Sequence, residues 1–187
     1  GFADSTIVIF TSDNGGVPGA AKEARAAGLK VNGDYRGTKL SIFEGGFRVP
    51  FIIKWHNHIA PDTTSSEIVS LVDIYASIGE LLNIDLQSPS VEAADSYSFY
   101  PAWFNDLSDP VRNNMILTSH EGITAIHVDG WKYIDGIVHE PEPYSFFGEA
   151  RQAAEAHEQL YNIENDPYET NDIITANTDK ANELSNI

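Results

Sequence analysis

A short run of β-branched and apolar residues, Thr6–Phe10 (TIVIF), constrains the fold of this 187-residue chain more than any other feature. A continuous apolar run of this length predicts a strand buried on both faces, as in a parallel α/β sheet. The run leads directly into the turn-forming sequence TSDNGG, residues 11–16. Because ligands of such sheets gather at the carboxyl ends of the strands, Asp13 and Asn14 are predicted to lie at a ligand-binding edge.

The segment that follows this turn, residues 17–46, has little periodicity and is predicted to be a long loop. A second strand is expected over Val49–Trp55. The clearest helix follows Ser70, which forms an S-x-x-D capping box with Asp73. Apolar residues then recur at helical spacing: Leu71, Ile74, Tyr75, Ile78, Leu81 and Leu82.

The sequence changes character near residue 111, where short strand patterns replace the longer elements. Four strands are predicted there: Met115–Ser119, Thr124–Val128, Trp131–Val138 and Gln159–Ile163. Asp129 and Gly130 form a strong hairpin signal between the second and third of these strands. Two helices are also expected, over Glu149–His157 and from Lys180 onward. The sequence therefore predicts an α/β part over residues 1–110 and a small antiparallel α+β subdomain over residues 111–187.

The charge of the chain excludes some partners and leaves a local anion site possible. Its net charge is −17, which excludes nucleic acid and anionic membrane surfaces as partners, because phosphate contacts need lysine and arginine. No apolar run approaches the roughly 20 residues of a membrane helix. Seven of the 11 basic residues nevertheless lie between Lys22 and Lys54. A basic segment in an acidic protein can hold a small anion, although a solvated basic loop has the same composition.

Asp13 and Asn14 have two interpretations. A carboxylate beside an amide carbonyl at a strand end suits a hard cation such as Ca²⁺ or Mg²⁺. The sequence D-N-G-G is also among the best turn-forming sequences for backbone reasons alone. Calcium takes about 6–8 oxygen ligands, so a calcium site here needs further ligands from residues outside this chain. The absence of cysteine excludes zinc–thiolate sites and thiolate catalysis within the chain.

Lys39 lies in the run YRGTKLSIFEGGFRVP, residues 35–50. Its ammonium group is a compact point charge that suits one oxyanion, and the alternative is a solvated surface lysine. Glu44 and Arg48 lie on either side of two glycines. Their opposite charges predict an ion pair that braces a turn, which is a structural role.

Five motifs in order make the chain resemble the formylglycine-dependent sulfatases of the alkaline phosphatase superfamily. The first two are the strand followed by DNGG and the run R-G-x-K-x-S-x-x-E-G-G-x-R-V-P. The other three resemble a helix, a hairpin and a closing strand of that family: VSLVDIY (69–75), GWKYI (130–134) and LYNIENDPYE (160–169). The resemblance runs nearly end to end. It implies the latter part of a sulfatase-like α/β sandwich followed by a small antiparallel C-terminal subdomain.

The resemblance implies roles for individual residues. Asp13 and Asn14 match the family's paired calcium ligands, and Lys39 matches its lysine that contacts the substrate sulfate. His120 ends a strand of the subdomain that lines the family's substrate cleft, so it is either a contact to the leaving group or a surface histidine. The family's nucleophile is a formylglycine made from the Cys or Ser of C/S-x-P-x-R. It is expected on a missing segment before DNGG, together with the remaining calcium ligands.

Two departures from the family pattern, and one chance match to it, concern turns. Leu40 stands where the family often has glycine, and His56-Asn57 stands where it often has Pro-Gly. The sequence SDPVR, residues 108–112, formally fits S-x-P-x-R but follows the EGG element instead of preceding DNGG. Since Asp-Pro is ordinary turn chemistry, we expect Ser108 to lie in a surface turn and not to be a nucleophile.

The sequence thus predicts part of a calcium-dependent sulfatase that hydrolyses the sulfate ester of a sulfated small molecule or saccharide. We expect this chain alone to be inactive, its partner to be the missing N-terminal part of the same protein, and its location to be periplasmic or secreted. Two alternatives stay open. One is a phosphatase, phosphodiesterase or phosphonate hydrolase of the same superfamily, and the other is a non-catalytic truncated binding module. A formylglycine nucleophile favours sulfate, whereas an unmodified Thr or Ser favours phosphate.

Overall fold

The computed structural model describes residues 2–84, 86, 94–136 and 157–187. These residues form two compact units, each combining an early and a late segment of the chain. The first unit comprises Gly1–Thr11 and Pro50–Asn113, and the second comprises Ser12–Val49 and Asn114–Ile187. In chain order the elements are β1 (Ile7–Thr11), α1 (Pro18–Ala26), α2 (Glu44–Phe47), β2 (Phe51–Trp55), α3 (Asp73–Leu81), β3 (Asn114–Thr118), β4 (Thr124–Val128), β5 (Trp131–Asp135), β6 (Gln159–Asn162) and α4 (Thr178–Leu184). In this described part, no helix is long and apolar enough to cross a membrane.

The first unit contains a two-stranded sheet in which β1 and β2 pair antiparallel, with Ile9 opposite Ile53. One face of this sheet packs on a core of three buried side chains: Phe99, Ala102 and Trp103. The other face presents apolar side chains that are more than half exposed: Val8, Phe10 and Ile52. Both predicted strands are therefore confirmed. The pairing of β1 with β2 is antiparallel, not parallel as expected. Among the described residues β1 has one covered and one open face, so burial on both faces stays a prediction for the intact protein.

Helix α3 begins at Asp73, whose side chain is fully buried. Its Oδ2 accepts a hydrogen bond from the Ser70 N–H at 2.7 Å, which is one half of the predicted capping box. The Ser70 hydroxyl does not cap the helix, since the N-cap is Val72. Asp73 Oδ1 accepts from the Tyr97 N–H at 2.9 Å and pairs with Arg112. A buried ion pair thus fixes the start of α3.

The second unit is built on an antiparallel sheet with the strand order β3-β4-β5-β6. Asp129 and Gly130 form the β4–β5 turn with φ values of 48° and 75°. Such positive values are what a tight hairpin turn requires. The predicted hairpin and the four predicted strands are confirmed over the residues that the structure describes.

Side chains cover both faces of this sheet. On one face, Ala125, Ile134 and Tyr161 pack with Ile42 and Phe43 from the segment just before α2. The opposite face forms a second cluster with α4: Ile126, Tyr133, Leu160, Ala181 and Leu184. Neighbouring strand residues contribute to opposite clusters because successive side chains of a strand point to opposite faces. The first cluster brings the early glycine-rich segment onto the late sheet.

Residues 17–46 are more regular than the sequence predicts. Helix α1 begins at Pro18, at a position where the missing N–H of proline costs little. Its alanine-rich sequence, PGAAKEARA, has high helix propensity. The prediction of a continuous loop is wrong here because the helical signal lies in propensity and not in apolar periodicity.

The two compact units also divide the chain differently from the predicted boundary at residue 110. That boundary lies close to the junction at Asn113, but residues 12–49 group with the C-terminal sheet. They do so because Ile42 and Phe43 fill its core. The division of the intact catalytic core stays a prediction. The helix predicted over Glu149–His157 and the end of the strand predicted over Trp131–Val138 lie largely outside the described residues.

Candidate functional site

The turn Asp13–Gly16 is held by local hydrogen bonds between adjacent residues. Asp13 is exposed and its Oδ1 accepts the Asn14 N–H at 3.0 Å. The Asn14 side-chain amide donates from Nδ2 to Gly15 O at 3.0 Å. These contacts use one carboxylate oxygen and the amide nitrogen. Among the described residues, Asp13 Oδ2 and Asn14 Oδ1 have no hydrogen-bond donor, so both oxygens are available to a ligand.

Three further hydrogen bonds attach this turn to the segment that carries Lys39. The Gly15 N–H donates to Gly46 O at 3.0 Å, and the Lys39 N–H donates to Gly16 O at 2.9 Å. The Gly16 N–H donates to Asn32 Oδ1 at 2.7 Å. The backbone therefore places the two predicted metal ligands and the predicted sulfate-binding lysine in one connected structure.

Close backbone contacts explain the glycines of the D-N-G-G and E-G-G motifs. A Cβ on Gly15 would lie 1.7 Å from Gly45 O. A Cβ on Gly45 would lie 2.3 Å from Gly37 O, and one on Gly46 would lie 2.5 Å from Ser41 O. A side chain at Gly15 would push the turn away from α2, and one at Gly45 or Gly46 would push α2 away from residues 36–41.

Lys39 differs from Lys30, Arg36 and Arg48, the basic residues nearest to it in the sequence. Lys30 pairs with Asp34, and Arg48 pairs with Glu44 at 3.4 Å. The Arg36 guanidinium lies over the Phe43 ring at 3.8 Å. Lys39 is partly buried, and its Nζ makes no ion pair or hydrogen bond with any residue that the structure describes. As far as the described residues go, its ammonium group is open to an anionic ligand.

Leu40 links Lys39 to His120. The backbone oxygen of Leu40 accepts the His120 N–H at 3.2 Å, so His120 is tied to the residue that follows Lys39. His120 itself is exposed. Leu40 has a φ of 80°, a conformation that glycine adopts readily and that costs other residues roughly 1–2 kcal/mol. The strain explains on physical grounds why glycine suits this position.

The predicted pair of Glu44 and Arg48 is confirmed, but it belongs to a larger charge cluster. Glu44 Oε1 lies 2.9 Å from His127 Nε2 and 3.1 Å from Lys132 Nζ. Lys132 Nζ also lies 2.7 Å from Glu169 Oε1, as an ion pair without hydrogen-bond geometry. Sequence reasoning missed Lys132 and Glu169 as partners of Glu44. The available signal was a lysine inside the otherwise apolar strand sequence WKYI.

The two carboxylates of this cluster have opposite pKa shifts. Burial acts to raise the pKa of Glu44, but the hydrogen bonds and charges of His127 and Lys132 outweigh it and lower that pKa to about 2. Burial raises the pKa of Glu169, and the attraction of Lys132 offsets this only in part. Of these two carboxylates, Glu44 is therefore the one that stays ionised to lower pH.

The oxygens of Asp13 and Asn14 fit part of a calcium site. A carboxylate and an amide oxygen are hard ligands of the kind that Ca²⁺ prefers. Among the described residues, no group of three or more His, Cys, Asp or Glu side chains is placed to hold a metal ion. A calcium site at this turn would take two ligands from Asp13 and Asn14 and would need others from elsewhere.

Ser108 lies in an exposed turn of the first unit, as expected. Its hydroxyl donates to Asp109 Oδ2 at 3.0 Å. This contact joins two exposed neighbours of a surface turn, which is ordinary Asp-Pro turn chemistry, and it agrees with the expectation that Ser108 is not a nucleophile.

Comparisons with known proteins cover almost the whole chain. A profile of the Sulfatase family matches residues 1–84. An N-acetylgalactosamine-6-O-sulfatase of Bacteroides thetaiotaomicron is 32% identical over 189 residues, covering 98% of this chain and 36% of that protein. Human arylsulfatase A is 26% identical over 183 residues, covering 93% of this chain and 34% of that protein. The chain thus spans about a third of the length of these relatives.

Solved structures show the same relationship. One, described in connection with the metabolism of multiple glycosaminoglycans by Bacteroides thetaiotaomicron, has a TM-score of 0.81 at 31% identity and covers 98% of this chain and 38% of that one. A sulfatase from Pseudoalteromonas shares the fold, with a TM-score of 0.70 at 22% identity over 98% of this chain and 36% of that one. The predicted fold class is confirmed, and the chain belongs to the sulfatase family.

Proposed function

We propose that the intact protein hydrolyses the sulfate ester of a sulfated saccharide, and that this chain supplies one part of the active site. The observation that carries the proposal is the hydrogen bond from the Lys39 N–H to Gly16 O at 2.9 Å. It ties an ammonium group without a described partner to the turn that presents Asp13 and Asn14. A cation site beside a lysine is suited to hold a tetrahedral oxyanion.

Each residue of the site has a proposed task. Asp13 Oδ2 and Asn14 Oδ1 would hold calcium together with ligands from residues outside this chain. When bound, calcium would supply positive charge beside the sulfate oxygens. Lys39 would donate a hydrogen bond to one sulfate oxygen and stabilise its charge. His120, fixed through Leu40, would contact the leaving group.

The remainder of the protein is the proposed partner of this chain. It would supply the formylglycine nucleophile and the other calcium ligands. It would also cover the exposed apolar face of the first unit, which consists of Val8, Phe10 and Ile52. A contiguous apolar face of this kind marks a contact surface in many proteins. We also propose that the protein is periplasmic or secreted, as the family resemblance implies, because an extracellular saccharide would reach the enzyme there.

The substrate class follows from the relatives and from charge. The Bacteroides relative is named for a 6-O-sulfated N-acetylgalactosamine, so a sulfated saccharide is the proposed substrate. The chain has a net charge of −17, which disfavours an anionic ligand at long range. Binding therefore depends on the local positive charge of Lys39 and the metal, because their effect is strongest within a few ångströms.

The test compares two esters of the same alcohol with the intact protein. Release of sulfate from N-acetylgalactosamine 6-sulfate is expected to exceed release of phosphate from the matching 6-phosphate. Mass spectrometry of the nucleophile peptide is expected to show formylglycine. A faster phosphate reaction with an unmodified Thr or Ser would assign the protein to the phosphatase alternative. No turnover of either ester or of an aryl sulfate, with calcium present and the formylglycine formed, would favour the non-catalytic alternative.

A further inference from the structure

Lys132 is a fully buried lysine that lies between two buried carboxylates. Its Nζ is 3.1 Å from Glu44 Oε1 and 2.7 Å from Glu169 Oε1. In the strand register, Lys132 stands opposite His127 on β4 and Tyr161 on β6. It therefore shares the sheet face that packs against the segment before α2, and not the face that packs against α4.

Glu169 is held in an unusual conformation next to Lys132. Its φ is 56°, a region that Asn, Asp and Gly tolerate better than Glu. Its side chain is fully buried, and its Oε2 accepts the Glu44 N–H at 2.7 Å. Its backbone oxygen accepts from Arg36 Nη1 at 3.3 Å. Strained residues persist where the surrounding structure requires their geometry, and they concentrate near functional sites.

A continuous set of contacts leads from this cluster to the turn Asp13–Gly16. Glu44 starts α2, and the two following residues, Gly45 and Gly46, make the contacts to the turn and its support. The Gly45 N–H donates to Arg36 O at 2.6 Å. Gly46 O accepts the Gly15 N–H at 3.0 Å, next to Asn14. The position of Glu44 thus sets the position of the carbonyl that holds the turn.

Stability alone does not account for this arrangement. Burying three charged side chains costs desolvation energy, and well-packed apolar residues of similar volume often stabilise a core equally well or better. The adjacent cluster around Ile42 and Phe43 shows that this sheet face packs apolar side chains without difficulty. What the charged cluster adds is direction, because Glu169 accepts one specific N–H and Lys132 fixes the Glu44 carboxylate.

We propose that Lys132 and Glu169 are positioning residues for the turn Asp13–Gly16, and that they act on it through Glu44 and Gly46. The connection of this turn to calcium rests on the proposed function. The positioning itself does not, because it concerns the hydrogen bond between the Gly15 N–H and Gly46 O.

The test uses the intact protein, with two variants of the cluster and one matched control. Lys132→Met removes the cation. The double variant Lys132→Met/Glu169→Gln removes one charge of each sign, which keeps the net charge of the cluster and protects the fold. Leu184→Ala is the control. Leu184 is a buried residue of α4 in the same unit, and it packs against the opposite face of the sheet. Amide exchange of residues 12–16 is measured without calcium, and calcium affinity is measured by titration calorimetry.

Both cluster variants are expected to exchange amides at residues 12–16 at least tenfold faster than wild type, while Leu184→Ala stays within about twofold. Calcium affinity should fall by about tenfold or more, the usual effect of losing a residue that orients metal ligands. Wild-type exchange at residues 12–16 in a folded double variant would overturn the proposal. If wild type binds no calcium but exchange responds as expected, the metal part of the proposed function fails and the positioning stands. Unfolding of Lys132→Met leaves the double variant to decide.

Discussion

Each unit of the chain has a buried carboxylate at the start of a helix, and the two carboxylates have different partners. Asp73 starts α3 and accepts hydrogen bonds from the backbone of Ser70 and Tyr97, within its own unit. Glu44 starts α2, and its partners His127 and Lys132 come from the late sheet of the second unit. The first arrangement fixes one helix. The second joins the early segment, residues 12–49, to the late sheet, and this segment carries Asp13, Asn14 and Lys39 of the candidate site.

The sheets of the two units differ in the same sense. The first unit covers one face of its two-stranded sheet and leaves Phe10 and Ile52 exposed on the other. The second unit has a core cluster of its own side chains on each face, with Ile116 of β3 left exposed. The candidate site therefore lies in the unit whose sheet has a core on both faces, whereas the other unit has an exposed apolar sheet face.

The largest expected effect is the loss of either carboxylate. Asp73→Ala and Glu44→Ala should each lower the free energy of unfolding by about 3–5 kcal/mol, because each removes one partner of a buried ion pair. Only Glu44→Ala should also speed amide exchange at residues 12–16. Denaturant unfolding and exchange on the intact protein measure both quantities. Equal exchange in the two variants would remove the distinction between the units.

The exposed sheet face gives the next largest effect. If the remainder of the protein covers this face, Phe10→Asp should lower the free energy of unfolding of the intact protein by about 2–3 kcal/mol. Ile116→Asp is the matched control, since Ile116 is equally exposed, at 61%, on β3 of the second unit. Its effect should stay within about 0.5 kcal/mol. Small effects of both substitutions in thermal or denaturant unfolding would show that the face stays open.

Acid should weaken the cluster around Glu44. Burial works to raise the pKa of Glu44, but His127 and Lys132 lower it from 4.5 to about 2. A lowered pKa contributes stability above the unfolded-state value that is lost as the pH falls towards the folded-state value. The advantage of wild type over Glu44→Gln should therefore shrink by about 2 kcal/mol between pH 6 and pH 3. Glu169, whose pKa is raised by burial, is present in both proteins, so the comparison isolates the contribution of Glu44. An advantage that stays constant between pH 6 and pH 3 would contradict the account.

The smallest expected effect concerns backbone strain at Leu40. Leu40→Gly should raise the free energy of unfolding by about 0.5–1 kcal/mol, since relief of the positive φ outweighs the greater unfolded-state entropy of glycine. Asn105 has a φ of 54° in the first unit, and asparagine tolerates that conformation. Asn105→Gly should therefore change stability little. A loss of stability in Leu40→Gly would show that the Leu40 side chain makes contacts that outweigh its strain.

Much of the fold was predictable because local signals and tertiary packing agree. The Asp129–Gly130 turn and the alternating strands around it combine turn chemistry with a two-sided core. Helix α1 was missed because its signal is alanine propensity without an apolar stripe. The antiparallel pairing of β1 was missed because an apolar run does not reveal the direction of the neighbouring strand.

The candidate site was predictable in its motifs and not in its support. Asp13, Asn14 and Lys39 were identified because their motifs resemble a known family. The hydrogen bond that ties Lys39 to the turn runs between backbone atoms, which no side-chain pattern encodes. Lys132 and Glu169 lie more than 80 positions from Glu44 along the chain. Their contacts with Glu44 therefore form only in the tertiary structure.

The central claim, that Lys39 and the turn Asp13–Gly16 form one sulfate-binding site, is tested most directly by steady-state kinetics of the intact protein. Lys39→Ala is compared with Lys30→Ala, which removes an exposed lysine of the same basic segment that pairs with Asp34. The account predicts that kcat/KM for a sulfated N-acetylgalactosamine falls by about 100-fold or more in Lys39→Ala. Lys30→Ala should stay within about twofold of wild type. Equal and small effects of the two substitutions would contradict the account.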